Sequence, residues 1–247
     1  MFETFIIYFL LFMIYSIIGY LVEVICVSFA DKKLTTSRGF LIGPYLPIYG
    51  TGALIMTCFL SKYKNDVLAL FIMSTILCTI LEYMTSYVLE KIFKLRWWDY
   101  SEQSFNINGR VCLSNGVLFG FGGVIVVELV NPILKELLYN IPTWLIISLG
   151  VFLLAVFIID LTISMYIMTR LKINVSKYTK KDASNIIRKE VQEVLKKNTY
   201  LTNRLFKSFP HIKSLNNKDF RSFQELFYKT RQEVQRLKQE YKQKKNK

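Results

Sequence analysis

At 247 residues, 52% apolar and 15% aromatic, with a mean hydropathy of +0.31, the chain has the profile of a membrane protein, and only its net charge of +14 conflicts with that. The conflict resolves along the sequence: residues 1–170 carry 11 Lys and Arg against 11 Asp and Glu, whereas residues 171–247 carry 21 against 7. The composition excludes a uniformly basic domain, and the expected organisation is a transmembrane domain over 1–170 followed by a basic cytoplasmic tail over 171–247.

The apolar run from Phe5 to Phe29, about 25 residues, is long enough to cross a hydrocarbon core with some tilt. Met1, Phe2 and Glu3 supply no basic leader, so the run is expected to be retained as an anchor rather than cleaved. Within it Ser16, Gly19, Glu23, Cys26 and Ala30 recur at steps of three and four, which predicts one inward-facing helix stripe.

Arg38 to Gly52 then reads RGFLIGPYLPIYGTG, with two prolines and four glycines that cannot open an uninterrupted helix. Arg38, Gly39, Gly43, Pro44, Pro47, Tyr49 and Gly50 therefore belong either to a re-entrant or broken segment or to a plain loop before a Pro-started helix. A second span is expected from about Pro47 to Leu60. A third runs from about Val67 to Leu89, with Thr75, Cys78, Thr79, Glu82 and Ser86 as its polar stripe.

Between the third and fourth spans lies RWWDYSEQSFNINGR, Arg96 to Arg110, too polar and too rich in turn formers to continue either. Trp97 and Trp98 suit an interfacial aromatic anchor. Asp99, Tyr100, Asn106, Asn108, Gly109 and Arg110, together with Arg96, suit a functional loop instead. The fourth span starts near Leu113 with Gly116, Gly120 and Gly123, a small-residue spacing read as close helix packing or as a mobile gate. It carries Glu128 and ends around Asn131 and Pro132 or a turn or two later. A fifth, about Trp144 to Met168, contains Asp160 and Ser164.

Five spans place the termini on opposite sides. With the basic tail inside, the inner loops hold Lys32, Lys33, Arg38, Lys91, Lys94, Arg96 and Arg110 and the outer ones only Lys62, Lys64 and Lys135, an N-out, C-in multi-pass arrangement in the cytoplasmic membrane. Measured from the inner helix ends at about 1.5 Å per residue, Glu23, Glu82 and Asp160 share one depth, roughly 12–15 Å. An intramembrane carboxylate must be paired, protonated or functional. The three acids therefore pair with Arg38, Arg96 or Arg110, hydrogen-bond as neutral groups to Ser, Thr and Tyr, or form a cation, proton or substrate site.

In the tail, Thr179 and Asp182 resemble a capping box. Ile187, Val191, Val194, Asn198, Leu201 and Leu205 follow at coiled-coil spacing, and Pro210 separates them from a second seam of Phe220, Phe223, Phe227, Thr230, Val234, Leu237 and Tyr241. Such a tail would fold as a hairpin or pair with another subunit, and its basic face suits anionic lipid. Nucleic acid is not expected as a partner. No Walker A loop, dinucleotide loop, nucleophile elbow or HExxH motif is present, so no cofactor, metal or catalytic residue is assigned. The cysteines Cys26, Cys58, Cys78 and Cys112 show no paired spacing.

RGFLIGPYLPIYGTG, LEYMTSYVLEKIF (Leu81 to Phe93) and RWWDYSEQSFNINGRVCL (Arg96 to Leu113), in that order, resemble the ABC-transporter type IV (CmpB-like) permease family of bacterial membrane proteins. The resemblance covers about residues 1–170. It implies an all-α polytopic membrane subunit working with a separate ATPase. The residues alone leave two other readings open: a membrane-embedded enzyme acting on a lipid or lipid-linked substrate through Glu23, Glu82, Asp160 and the loop arginines, and a scaffold that recruits a partner or a second copy through its coiled-coil tail.

Overall fold

A computed structural model describes residues 1–30, 32, 36, 39–93, 95–178 and 213–214, and it is mostly helical. The two tail seams and the capping box lie outside the described residues. Helices α1 (Phe2–Ala30), α2 (Pro47–Phe59), α3 (Val67–Phe93), α4 (Leu113–Ile125), α5 (Asn131–Tyr139) and α6 (Thr143–Tyr178) form a bundle. Among the described residues, four helices are long and apolar enough to cross a membrane: Phe2–Phe29, Val67–Phe93, Leu113–Tyr139 and Thr143–Thr169. At the expected second span stands α2, with 13 residues, or about 20 Å of helix. Helix α6 runs past the charge break at Arg170 to Tyr178.

The bundle's directions follow from who touches whom. Tyr49 packs on Gly19, Gly50 on Phe12 and Ser16, and Ala53 on Leu11 and Tyr15, so α2 runs antiparallel to α1, starting beside its middle. The Leu46 N–H donates to the Ser16 carbonyl at 3.0 Å, which places segment 39–46 halfway along α1. Helices α3 and α4 are antiparallel, and Gly116, Gly120 and Gly123 bring them together against Thr79, Thr75 and Ser74. Close packing is thus what the glycine spacing serves. Helix α6 lies parallel to α1, with Gly150 against Ile6 and Phe157 against Phe9 and Phe12. Segment 39–46, the α3–α4 connection and Asp160 therefore gather at one end, where α1 and α3 finish.

The continuous rod Leu113–Tyr139 contains a π-helical stretch, Val126–Val130, where the Asn131 N–H reaches back to the Val126 carbonyl. Its cause is the next residue. Pro132 has no N–H to offer the fourth carbonyl before it, and its ring would collide with that group in α geometry. Outward faces carry Ile72, Ile76, Ile80, Phe121, Phe152 and Ile159, all exposed, as expected where lipid is the solvent. The inward stripe of α1 is buried at Ser16 and Gly19 but has ended by Cys26, which is exposed.

A Cβ added at Gly123 would meet the Cβ of Ser74, an atom fixed to its backbone, whereas one at Gly122 would meet nothing within 4 Å. Gly123→Ala is expected to cost about 1–3 kcal/mol of bundle stability, and Gly122→Ala nothing. Thermal unfolding of the two detergent-purified variants checks this; equal midpoints would show that the α3–α4 contact is not close.

Candidate functional site

Three buried carboxyl groups organise this end of the bundle, each in a different way. Asp160, 7% exposed, accepts four hydrogen bonds. Its Oδ1 takes the Ile42 N–H at 2.8 Å and the Ser164 hydroxyl at 3.0 Å, and its Oδ2 takes the Gly43 N–H at 2.7 Å and the Tyr45 hydroxyl at 2.5 Å. Segment 39–46 has no regular structure to satisfy its own backbone, so a carboxylate on α6 does it. Gly39, at φ 75°, and Pro44, which is exposed, shape the turn; Leu41 and Tyr45 bury themselves against Met13, with Phe40 and Phe157 alongside. Pro47 then starts α2 at the position where a missing N–H costs nothing.

Glu90, 8% exposed, is held by two arginines of the α3–α4 connection. Arg110 grips it through Nη1–Oε2 at 2.7 Å and Nη2–Oε1 at 2.9 Å, and Arg96 Nε reaches Oε2 at 3.1 Å. The Arg110 guanidinium also sits over the Tyr83 and Tyr87 rings, 5.6 and 5.5 Å from their centres. The Glu90 carboxylate, bonded to it, holds the Arg110 side chain above its ordinary pKa. This fork anchors a small hairpin in which β2 (Asn106–Ile107) pairs antiparallel with β3 (Val111–Cys112).

Asn108 and Gly109 both have positive φ, 53° and 65°, and the Arg110 N–H returns to the Ile107 carbonyl, the Asn-Gly turn that matches strand twist. Asn106 bonds through its amide to the Gln103 carbonyl and accepts from the Gly109 N–H, Asn108 reaches the Tyr83 hydroxyl, and Trp98 Nε1 donates to the Arg110 carbonyl. Asp99 accepts from the Ser101 N–H and lies 3.7 Å from Arg96. Next to the hairpin, β1 (Leu95–Arg96) pairs with β4 (Lys213–Ser214).

Glu82, 5% exposed, has neither kind of support. Its Oε1 accepts the Tyr100 hydroxyl at 3.2 Å, the Asn115 amide is hydrogen-bonded to the same carboxyl, and Oε2 has no hydrogen-bond partner. Tyr49 is hydrogen-bonded to Glu23 and lies close to Glu82. Glu23, Tyr49, Glu82, Tyr100 and Asn115 thus form one cluster drawn from α1, α2, α3, the hairpin and α4. Burial holds the Tyr100 hydroxyl above the ordinary tyrosine range, so it is a donor at neutral pH.

The three expected acids are therefore divided: Glu23 and Glu82 share the cluster, and Asp160 clamps segment 39–46. The expected pairing of these acids with Arg96 and Arg110 is corrected, because both guanidinium groups go to Glu90; Arg38 lies outside the described residues. Trp97 is corrected too. It is 3% exposed and packs on Phe93 and Phe40, ring centres 5.9 and 6.2 Å away, so it is a core residue of the hairpin and not an interfacial anchor. Glu90, Asn115 and Tyr45 belong to the site without being among the residues the sequence points to. Glu90 had a signal, since Cys78, Glu82 and Ser86 continue to it in steps of four; Asn115 and Tyr45 had none beyond proximity to a motif.

The spans and the half-length helix define a polytopic helical membrane protein. A model of the family described as Putative ABC-transporter type IV matches residues 10–165, and the chain belongs to that family. No curated protein and no solved structure matches it.

Two expectations follow. Glu90→Gln leaves a charged fork without its carboxylate and should cost about 2 kcal/mol, while Arg110→Lys, which keeps the charge but not the fork, should lose most of the same amount. Thermal unfolding reads both, and a native midpoint for Glu90→Gln would sink the anchor. Asp160→Ala should free segment 39–46, seen as faster maleimide reaction of an Ile42→Cys probe in the Asp160→Ala background than in the parent. Equal rates would mean that other contacts hold the segment.

Proposed function

We propose that the chain is the permease-like membrane subunit of an ABC transporter, working with a separate ATPase. The observation that carries this reading is the family match over residues 10–165, from within α1 to within α6, in a chain whose sequence has no phosphate-binding loop of its own. An importer or exporter built this way needs the hydrolytic engine from another polypeptide.

Within this reading, segment 39–46 and α2 together make the fifth crossing, a non-helical half followed by a helical half. Broken helices of this kind are where transporters place their sites, because unwound backbone at depth is tolerable only against protein or a watery cavity. The N-terminus is outside and the C-terminus cytoplasmic, which puts the Arg96–Arg110 hairpin and the basic tail on the ATPase side. The tail is proposed as a cytoplasmic unit for anionic lipid, a partner or a second copy.

A second reading, an enzyme acting on a lipid-linked substrate, draws on the Glu23 and Glu82 carboxyls beside two tyrosines. Affinity purification of the intact protein separates the two. A co-purifying ATPase is expected; repeated recovery with no nucleotide-hydrolysing partner would overturn the permease reading. For the orientation, an impermeant thiol reagent should label Asn65→Cys in intact cells and miss Gln103→Cys, and the reverse pattern would invert the assignment.

A further inference from the structure

The three buried carboxyls of the bundle end provide an internal comparison. Asp160, at 7% exposure, is surrounded by four donors, and Glu90, at 8%, by a bidentate arginine with a second arginine beside it. These are the two ways a protein keeps a carboxylate ionised away from water: enough hydrogen-bond donors, or a cation. Glu82 is the most buried of the three, at 5%. One tyrosine donates to it at 3.2 Å, the Asn115 amide is hydrogen-bonded to it, its Oε2 is without a partner, and no described Lys or Arg pairs with it.

The groups that face it sharpen the point. Among the described residues, from α1 comes Glu23, a second acid; from α2, Tyr49; from its own helix one turn back, Cys78; from the hairpin, Tyr100; from α4, Asn115. None of these is a cation, and a second carboxylate nearby disfavours ionisation of the first. Among the described residues no group of three or more His, Cys, Asp or Glu could hold a metal ion. A bare sodium ion needs several oxygens around it, whereas a proton needs one.

We propose that Glu82 is a proton-binding residue, held as a neutral carboxylic acid in this structure, and that with Glu23 it makes a two-carboxylate site that takes up and releases one proton beside the break between segment 39–46 and α2. The unpartnered oxygen is then the protonated one, and Tyr100 donates to the carbonyl oxygen of the acid. The bound species is H⁺; no bond other than O–H forms or breaks. The proposal stands apart from the ATPase partnership, because it concerns this chain alone.

The test is infrared spectroscopy of the full chain in detergent or liposomes across a pH series. At neutral pH the parent should show the carbonyl stretch of a protonated carboxylic acid, shifted in D2O. Glu82→Gln should remove it while leaving insertion and thermal midpoint near the parent's, since an amide imitates a neutral acid. Glu128 Oε1 is also buried without a partner, so the series is run in a Glu128→Gln background, where the Glu82 band should remain and Glu82→Gln should then remove it. If Glu82→Gln fails to accumulate, Glu82→Asp, still titratable, should retain a shifted band. Absence of the band, its survival in Glu82→Gln, or its loss on adding sodium at constant pH each overturns the proposal, the last in favour of a metal-cation site.

Discussion

The constraint on which this architecture rests is that backbone N–H and C=O groups away from water must find partners inside the protein. Residues 39–46 cross this end of the bundle without helix or strand, and three hydrogen bonds from them to one carboxylate on α6 make that possible, with the Leu46 to Ser16 bond fixing the far end. The length of α2 follows from this. Because segment 39–46 already reaches halfway along α1, a helix of 13 residues covers the remaining distance to the opposite end.

The hairpin between α3 and α4 solves a different problem with related means. It is a polar segment seated on helix ends, and it has few apolar side chains with which to attach itself. Trp97 supplies a buried ring between Phe93 and Phe40, and Arg96 with Arg110 supplies the grip on Glu90. Phe40 belongs to the segment that Asp160 holds. The ring contact from Phe40 to Trp97 therefore joins the two irregular regions, and the Glu23 to Glu82 cluster lies between helices that both of them steady.

How much of this the sequence disclosed depended on the kind of signal. Apolar length located the four long spans, and steps of three and four found the faces carrying Ser16, Gly19, Cys78, Glu82 and Ser86, because helical period is a local property. The glycines of α4 were legible for the same reason. Two prolines and four glycines marked Arg38 to Gly52 as unable to be one helix, but nothing local tells that Asp160, more than a hundred residues on, would be its anchor. The partners of the arginines are not legible from depth along a helix: Glu90 sits at the helix end beside the hairpin, whereas Glu82, two turns deeper, is reached by a tyrosine. Trp97 and Trp98 are neighbours of identical composition, and only the turn of the hairpin decides that one is swallowed and the other bonds to Arg110.

The π-helical stretch before Pro132 gives one rod two allegiances. Each residue of an α-helix advances the azimuth by about 100°, and a π turn accommodates one extra residue, so the surface pattern of the rod is re-phased across Val126–Val130. Upstream, Gly116, Gly120 and Gly123 address α3; downstream, Leu134 addresses Leu11, Tyr15 and Ala53 on α1 and α2. The Tyr15 hydroxyl donates to Asn131 at the joint itself. The rod thus works as a keystone between two helix pairs, α1 with α2 and α3 with α4, that would otherwise meet mainly through α2, and any sliding of one pair past the other has to be absorbed at a point where the hydrogen-bond ladder is already widened.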